Sequence, residues 1–355
     1  MKKENIILVG LIGVSDEKTG AEYSISELAE LVKTTGGEVV SSFIIKKQSI
    51  DPAHIIGSGW LETIKKEAEE KSADAVVFDI NNIKAVQYNN IEKYLDIKVL
   101  SRCDVILDIF ALRASSAEAK IQVELAQLNN MLPRIRGKGL VLSRLGGGIG
   151  TRGPGETKLE TDRRHIQRKI HKLNESLKAI EKTRSLKRRS RENAVKIAVV
   201  GYTNAGKSSL VSLLSKKNLF IENRLFATLD SFTREVFISE NHKVLLTDTV
   251  GFIRNLPATL VKAFRSTFEE IVFSDMVIHL IDASNPNYKE CIKTVDDELA
   301  EIGYTGKVLK VFNKIDLADG EHLHNISAEY PGSVFCSVKE KKGMDDIKNA
   351  ILVLF

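Results

Sequence analysis

From residue 201 the chain reads Gly201-Tyr202-Thr203-Asn204-Ala205-Gly206-Lys207-Ser208, a G-x-x-x-x-G-K-S, directly after the apolar run Ile197–Val200 and directly before the helix-period stretch Ser209–Leu214. Strand, glycine loop and helix in immediate succession form the setting of a phosphate-binding loop. Glycines let backbone N–H groups turn inward around phosphate oxygens, and the helix N-terminus adds positive potential. Lys207 is expected to reach the β- and γ-phosphates and Ser208 to ligate Mg²⁺. Strand–helix pairs recur from here to the end of the chain, so residues 194–355 read as a Ras-like α/β nucleotide-binding domain.

Three further elements follow in the required order. The strand Lys243–Leu246 runs into Asp248-Thr249-Val250-Gly251, a D-x-x-G in which Asp248 would hold Mg²⁺ through water and the Gly251 amide would sense the γ-phosphate. The strand Val308–Phe312 runs into Asn313-Lys314-Ile315-Asp316, an N-K-x-D. The Asp316 carboxylate can accept from both guanine N1–H and the 2-amino group, a donor pair adenine lacks, which argues for GTP and GDP over adenine nucleotides. Val334–Phe335 leads into Cys336-Ser337-Val338-Lys339, which would finish the base pocket. Between loop and D-x-x-G lies Leu225-Phe226-Ala227-Thr228-Leu229-Asp230, where Thr228 would sense the γ-phosphate and Mg²⁺ with Phe226 and Ala227 beside it. Lys207, Thr228 and Gly251 are the expected catalytic set, and Ser208, Thr228 and Asp248 the expected metal set. Ser209, just inside the helix, is expected to contact nucleotide as well.

Two details bear on the chemistry. Many GTPases orient the attacking water with a Gln just after the D-x-x-G glycine; here that residue is Phe252, whose ring cannot hydrogen-bond water. Slow intrinsic hydrolysis is expected until another group or a bound partner orders the switch segments. Asn204, in an Asn-Ala-Gly-Lys-Ser context, resembles the loop of GTPases that use K⁺ as an additional charge-neutralising ion; the alternative is that it only caps a turn.

The first 112 residues alternate short apolar runs (Ile6–Ile12, Glu38–Ile45, Ala75–Asp79, Ile97–Leu100) with helix-period stretches (Ser26–Lys33, Leu61–Lys71, Ala85–Tyr94), which predicts a parallel or mostly parallel sheet with helices on its faces. The segment 113–193 has a different texture. Ile121, Leu125, Leu128, Leu132 and Ile135 form an apolar seam on one helix, which Pro133 is expected to end near Leu132. Gly137 to Gly155 holds eight glycines and reads as a loop, 137–156, rather than a regular element. A second seam, Leu159, Ile166, Ile170, Leu173, Leu177 and Ile180, follows, so the two helices should bury their stripes on each other as an antiparallel hairpin with the loop at its tip. Between Thr151 and Asn193 there are 14 Lys and Arg against 6 Asp and Glu, an excess larger than the +5 of the whole chain. The basicity therefore belongs to one segment, and nucleic acid is its natural partner, with Arg144, Arg152 and Lys158 as candidate RNA contacts.

Cys103, Cys291 and Cys336 are far apart and form no C-x-x-C, so neither a disulfide framework nor a zinc site is suggested and a reducing cytoplasm fits. The start, Met1-Lys2-Lys3 before an apolar run, reads as a first strand rather than a signal peptide, because Glu4 interrupts the basic region and Ser15-Asp16-Glu17 offers no small-residue cleavage site. No apolar run reaches the ~18–20 residues of a membrane span, and no prenylation box follows Cys336. A cytoplasmic monomer without a membrane anchor is expected.

Taken together these residues resemble the HflX family of ribosome-associated GTPases. Ile106-Leu107-Asp108-Ile109-Phe110 with Gln122-Val123-Glu124-Leu125-Ala126-Gln127-Leu128 looks like that family's first hairpin helix, and Gly146 through Glu160 looks like its glycine-rich loop. Asp248-Thr249-Val250-Gly251-Phe252-Ile253-Arg254 is similar to its D-x-x-G region, including the aromatic in place of Gln. The resemblance implies a GTP-regulated factor that binds the large ribosomal subunit of a 70S-type ribosome and helps separate stalled or idle ribosomes, its hairpin lying near the peptidyl-transferase region of ribosomal RNA. Ile56-Gly57-Ser58-Gly59-Trp60, Asp230-Ser231-Phe232-Thr233-Arg234 and Ser337-Val338-Lys339 depart from the family's usual pattern. The last expected helix, Met344–Leu354, ends beside Phe355, so no counterpart of the extra C-terminal domain of many members is expected in these residues, through either a short family form or truncation. Two other readings stand beside this one: a ribosome-assembly or RNA-processing GTPase, and a GTP-gated RNA-binding module with negligible hydrolysis.

Overall fold

The computed structural model describes residues 3–13, 18–46, 49–145, 154–189, 194–215, 226, 232–254 and 265–354. Strand β1 (Asn5–Ile12) is followed by α1 (Lys18–Thr35), β2 (Glu38–Lys46), α2 (Ser58–Lys71), β3 (Ala75–Phe78), α3 (Ala85–Leu95), β4 (Lys98–Ser101) and α4 (Arg102–Arg113). The four strands pair in the order β2-β1-β3-β4, all parallel. Each parallel step needs a crossover, and α1, α2 and α3 supply them. The interior strands are apolar throughout, as a sheet covered on both faces requires: Ile7, Leu8 and Val9 of β1 and Ala75, Val76, Val77 and Phe78 of β3 have no exposed surface.

Then come two long helices, α5 (Ala117–Leu145) and α6 (Pro154–Arg189), and three expectations need correcting here. Pro133 does not end α5 but sits inside it. Pro133 and Asn129, the residue whose carbonyl loses its partner, are both exposed, so water can take the orphaned oxygen. On the other face, Asn130 and Arg134 both hydrogen-bond the Asp104 carboxylate of α4, at 2.7 Å for Asn130, pinning the helix on either side of the proline. The expected glycine loop is also shorter than 137–156, since α5 continues through Gly137 and Gly139 to Leu145 and α6 starts at Pro154. Finally, the stripes are unequal. α5 buries Val123, Leu125, Ala126 and Leu128, while Ile166, Ile170, Leu173 and Leu177 of α6 are only half-buried. A Glu124–Lys169 ion pair joins the two helices.

The rest is β5 (Val195–Val200), α7 (Lys207–Ser215), β6 (Phe232–Phe237), β7 (Lys243–Asp248), α8 (Arg265–Val272), β8 (Met276–Asp282), α9 (Tyr288–Glu301), β9 (Lys307–Asn313), a short 3₁₀ turn (Ile315–Leu317), α10 (Gly320–Glu329), β10 (Val334–Phe335) and α11 (Met344–Leu352). Strand order is β10-β9-β8-β5-β7-β6, with β6 alone antiparallel. The core on one side of β5 and β8 includes Ile197, Val199, Leu210, Leu246, Ile278, Leu280, Ile347 and Ile351. The fold is thus α/β, an N-terminal domain followed by a P-loop domain. By contacts the chain divides into two compact units, one of Met1–Leu112 with Lys120–Ala179, the other of Arg113–Ala119, Ile180–Leu256 and Phe264–Phe355. No helix among the described residues is long and apolar enough to cross a membrane.

Candidate functional site

The phosphate loop leaves β5 at Gly201 and enters α7 at Lys207. Its shape depends on two glycines: a Cβ on Gly201, at φ +152°, would run into the Leu280 carbonyl oxygen, and one on Gly206, at φ +98°, would lie 2.5 Å from the Asn313 amide nitrogen. The first helical hydrogen bond, Leu210 N to Gly206 O, is 2.9 Å, so the N–H groups before it face the loop's hollow. Lys207 is buried, and its Nζ donates to the carbonyls of Gly201 (3.0 Å) and Tyr202 (2.8 Å). Burial pushes its pKa down to about 8, against the opposing pull of the Asp248 carboxylate. Asn204 is exposed with left-handed φ 63°, and Ser208 and Ser209 are half-buried at the helix start.

The D-x-x-G segment lies along this loop. Asp248 closes β7 and is 1% exposed, the Thr249 hydroxyl donates to Val199 O at 2.7 Å, and Val250 is buried. Phe252 N donates to Gly201 O at 3.1 Å and Thr203 N to Phe252 O at 2.8 Å. The Phe252 ring is 1% exposed and stacked on Phe268, centroids 5.8 Å apart. The aromatic that stands where Gln is common therefore lies in the core. Tyr202 turns its side chain the same way: its hydroxyl accepts the Arg254 N–H at 2.9 Å.

On the base side, the buried Asn313 side chain donates to Ala205 O at 2.8 Å and accepts from Val338 N at 3.0 Å and from the Cys336 thiol. Burial pushes the Cys336 pKa up to about 12. The Ser337 hydroxyl donates to Asp316 Oδ1 at 2.6 Å, and that bond holds the Asp316 carboxyl below the usual carboxylate range, helped by Lys339 and Lys314. Lys314 has φ 64° and pairs with Asp282 at 2.7 Å. Asp282 had no part in the motif reading, because its partner Lys314 lies 32 residues away in the chain. Its other oxygen accepts from Ser284 N and Oγ.

The phosphate loop, the D-x-x-G and the two base-side loops are thus brought to one end of the second sheet. Phe226 is buried with φ 53°. Ala227, Thr228 and Arg152 fall outside the described residues, and so do the side chains of Arg144 and Lys158, whose backbones belong to α5 and α6.

Family models match most of the chain: "GTP-binding GTPase N-terminal" over 22–111, "GTP-binding GTPase Middle Region" over 113–191 and "50S ribosome-binding GTPase" over 196–314. Among curated relatives, the GTPase HflX of Caldanaerobacter subterraneus is 45% identical over 98% of this chain and 80% of its own length. That of Escherichia coli is 35% identical over 98% and 82%. Among solved structures, a crystal structure of SsGBP in complex with GDP aligns with a TM-score of 0.52 and 28% identity, covering 99% of this chain and 98% of that one.

Proposed function

The chain belongs to the HflX family of GTPases, and from that premise we propose that it binds GTP in the site above, hydrolyses it slowly by itself, and uses the nucleotide state to govern association with the large ribosomal subunit, splitting or rescuing stalled and idle 70S-type ribosomes. The observation that carries the nucleotide half is the Asn313 side chain, which joins Ala205 of the phosphate loop to Val338 beside the base loop, so that phosphate and base ends are assembled around one amide. Lys207 spends two of its three protons on loop carbonyls and keeps one for a phosphate oxygen. Asp316, held ionised, is the acceptor for guanine N1–H and the 2-amino group.

Ser208 and Asp248, with Thr228, would hold Mg²⁺: hydroxyl and carboxylate oxygens are the hard donors this ion takes, and Asp248 is buried within electrostatic reach of Lys207. Bound there, the ion would neutralise charge on the phosphates. Gly251 and Thr228 would contact the γ-phosphate, and the remaining nucleotide contacts fall to Gly201, the Tyr202 backbone, Thr203 through Ser209, Phe226, Ala227, Thr249, Val250, Lys314 and Cys336 through Val338. The exposed Asn204 is our candidate for a K⁺ contact; equal turnover in potassium and sodium buffers removes that role.

The ribosomal half is supported by the description of the model matched over 196–314 and by the charge of 151–193. Arg144, Arg152 and Lys158 would neutralise RNA phosphates near the hairpin tip, where glycines admit close approach. We take 1–112, 113–193 and 194–355 as functional parts: platform, RNA-probing arm and nucleotide switch, in a cytoplasmic monomer. Co-sedimentation with ribosomal subunits in GDP and in a non-hydrolysable GTP analogue tests the reading, together with multiple-turnover hydrolysis with and without ribosomes. Analogue-dependent binding and stimulated turnover are expected. Binding indifferent to nucleotide, or turnover that ribosomes leave unchanged, overturns it.

A further inference from the structure

The segment after the D-x-x-G is fastened to the phosphate loop by more than backbone contacts. Thr203 N to Phe252 O and Phe252 N to Gly201 O make a two-rung parallel bridge. A third rung comes from a side chain: the buried Tyr202 accepts the Arg254 N–H on its hydroxyl at 2.9 Å. Beyond it the Arg254 guanidinium pairs with the Glu290 carboxylate of α9, and the Phe252 ring is stacked on Phe268. Within this clamp Gly251 lies so close to the loop that a Cβ on it would meet Lys207 Nζ and Thr203 Cγ2 at 3.0 Å.

We propose that Tyr202 is a positioning residue for GTP hydrolysis, its hydroxyl holding the Phe252–Arg254 backbone so that the Gly251 amide stays at the γ-phosphate during transfer. The motif reading made Tyr202 a nucleotide contact; its side chain instead points to the switch segment, and this role deepens the proposed site and rests on it. The physical reason is preorganisation. A donor already fixed where charge develops needs no reorganisation during the reaction, whereas a segment released at one rung must be re-ordered in each turnover. GDP, which has no γ-phosphate, makes no use of that placement.

The test is Tyr202→Phe, which keeps the buried ring and removes only the hydroxyl. Loss of one hydrogen bond corresponds to about fivefold. We expect the single-turnover hydrolysis rate to fall about fivefold with KM for GTP and Kd for GDP within about twofold of wild type. A fall in GDP affinity matching the fall in rate overturns the proposal in favour of a merely structural tyrosine, and an unchanged rate overturns it outright. Glu290→Gln serves as a second variant: it loosens Arg254 from outside the loop, should slow hydrolysis in the same GDP-neutral way, and overturns the clamp if it does not. Wild-type protein that binds no GDP would instead remove the underlying site, an outcome distinct from all of these.

Discussion

Two of the three Lys207 ammonium protons are committed to Gly201 and Tyr202 carbonyls inside the protein, and burial lowers its pKa to about 8. The folded value lies below the ordinary 10.5, so between these values the unfolded chain binds more protons. Stability of the nucleotide-free protein should therefore rise with pH across that window. Nucleotide affinity has the opposite sign, because anionic phosphates require the charged lysine: it should be flat below about pH 8 and weaken about tenfold per unit well above it. Titration of fluorescent GDP from pH 6.5 to 9.5 checks this, with Lys207→Arg expected to flatten the profile; an unchanged wild-type affinity at pH 9.5 rejects the role of the charge. On the base side, Asp316→Asn replaces an acceptor oxygen by a donor and should move preference from GDP to xanthosine diphosphate, about 100-fold in relative Kd given charge-assisted bonds. Competition binding decides it, and retained guanine preference would remove Asp316 from the pocket. Asn313, Asp316 and Lys207 were legible because their motifs dictate both residue type and place. Tyr202 and Asp282 were not: their roles come from what their side chains touch across 52 and 32 residues of chain, and no local pattern carries that.

Elements were read best where apolar periodicity and burial coincide. β1, β3, β5, β7 and β9 fall within two residues of the apolar runs that announced them. The edge strand β6, with Phe232 and Phe237 exposed, has no such run and went unread. α5 failed for a different reason, since proline and glycine carry a strong local penalty, roughly 3 and 1 kcal/mol in a helix interior, which tertiary contacts can outweigh. The Asp104 carboxylate provides those contacts, accepting from Tyr88, Ser101, Asn130 and Arg134 while the Arg134 guanidinium lies 3.9 Å over the Tyr88 ring. Arg134→Met should loosen α5 around Pro133 and cost about 1–3 kcal/mol of stability. Hydrogen exchange at residues 129–134 locates the effect, and a double-mutant cycle with Asp104→Asn should show coupling. Additive losses would mean the pair does not pin the helix.

For the molecule as a whole, the two units carry separable tasks under our proposal, and that separation can be measured. Charge reversal at Arg144 and Arg152 together should weaken ribosome co-sedimentation about tenfold or more at moderate salt and shallow its salt dependence, with GDP affinity unchanged. An equal fall in nucleotide affinity would contradict the division of labour. Nucleotide state must nonetheless be conveyed out of the site, and β6 offers a route. It is the one antiparallel strand of its sheet, with Phe232 registered against Asp248 and the Thr233 and Thr247 hydroxyls 3.0 Å apart across the pair. A slip of one residue along this ladder would turn every β6 side chain to the opposite face and bring the buried Val236 out. β6 and the strand that leads to Gly251 are accordingly sewn along a shared hem, and a tug on either cloth must either draw the other with it or rip the stitches.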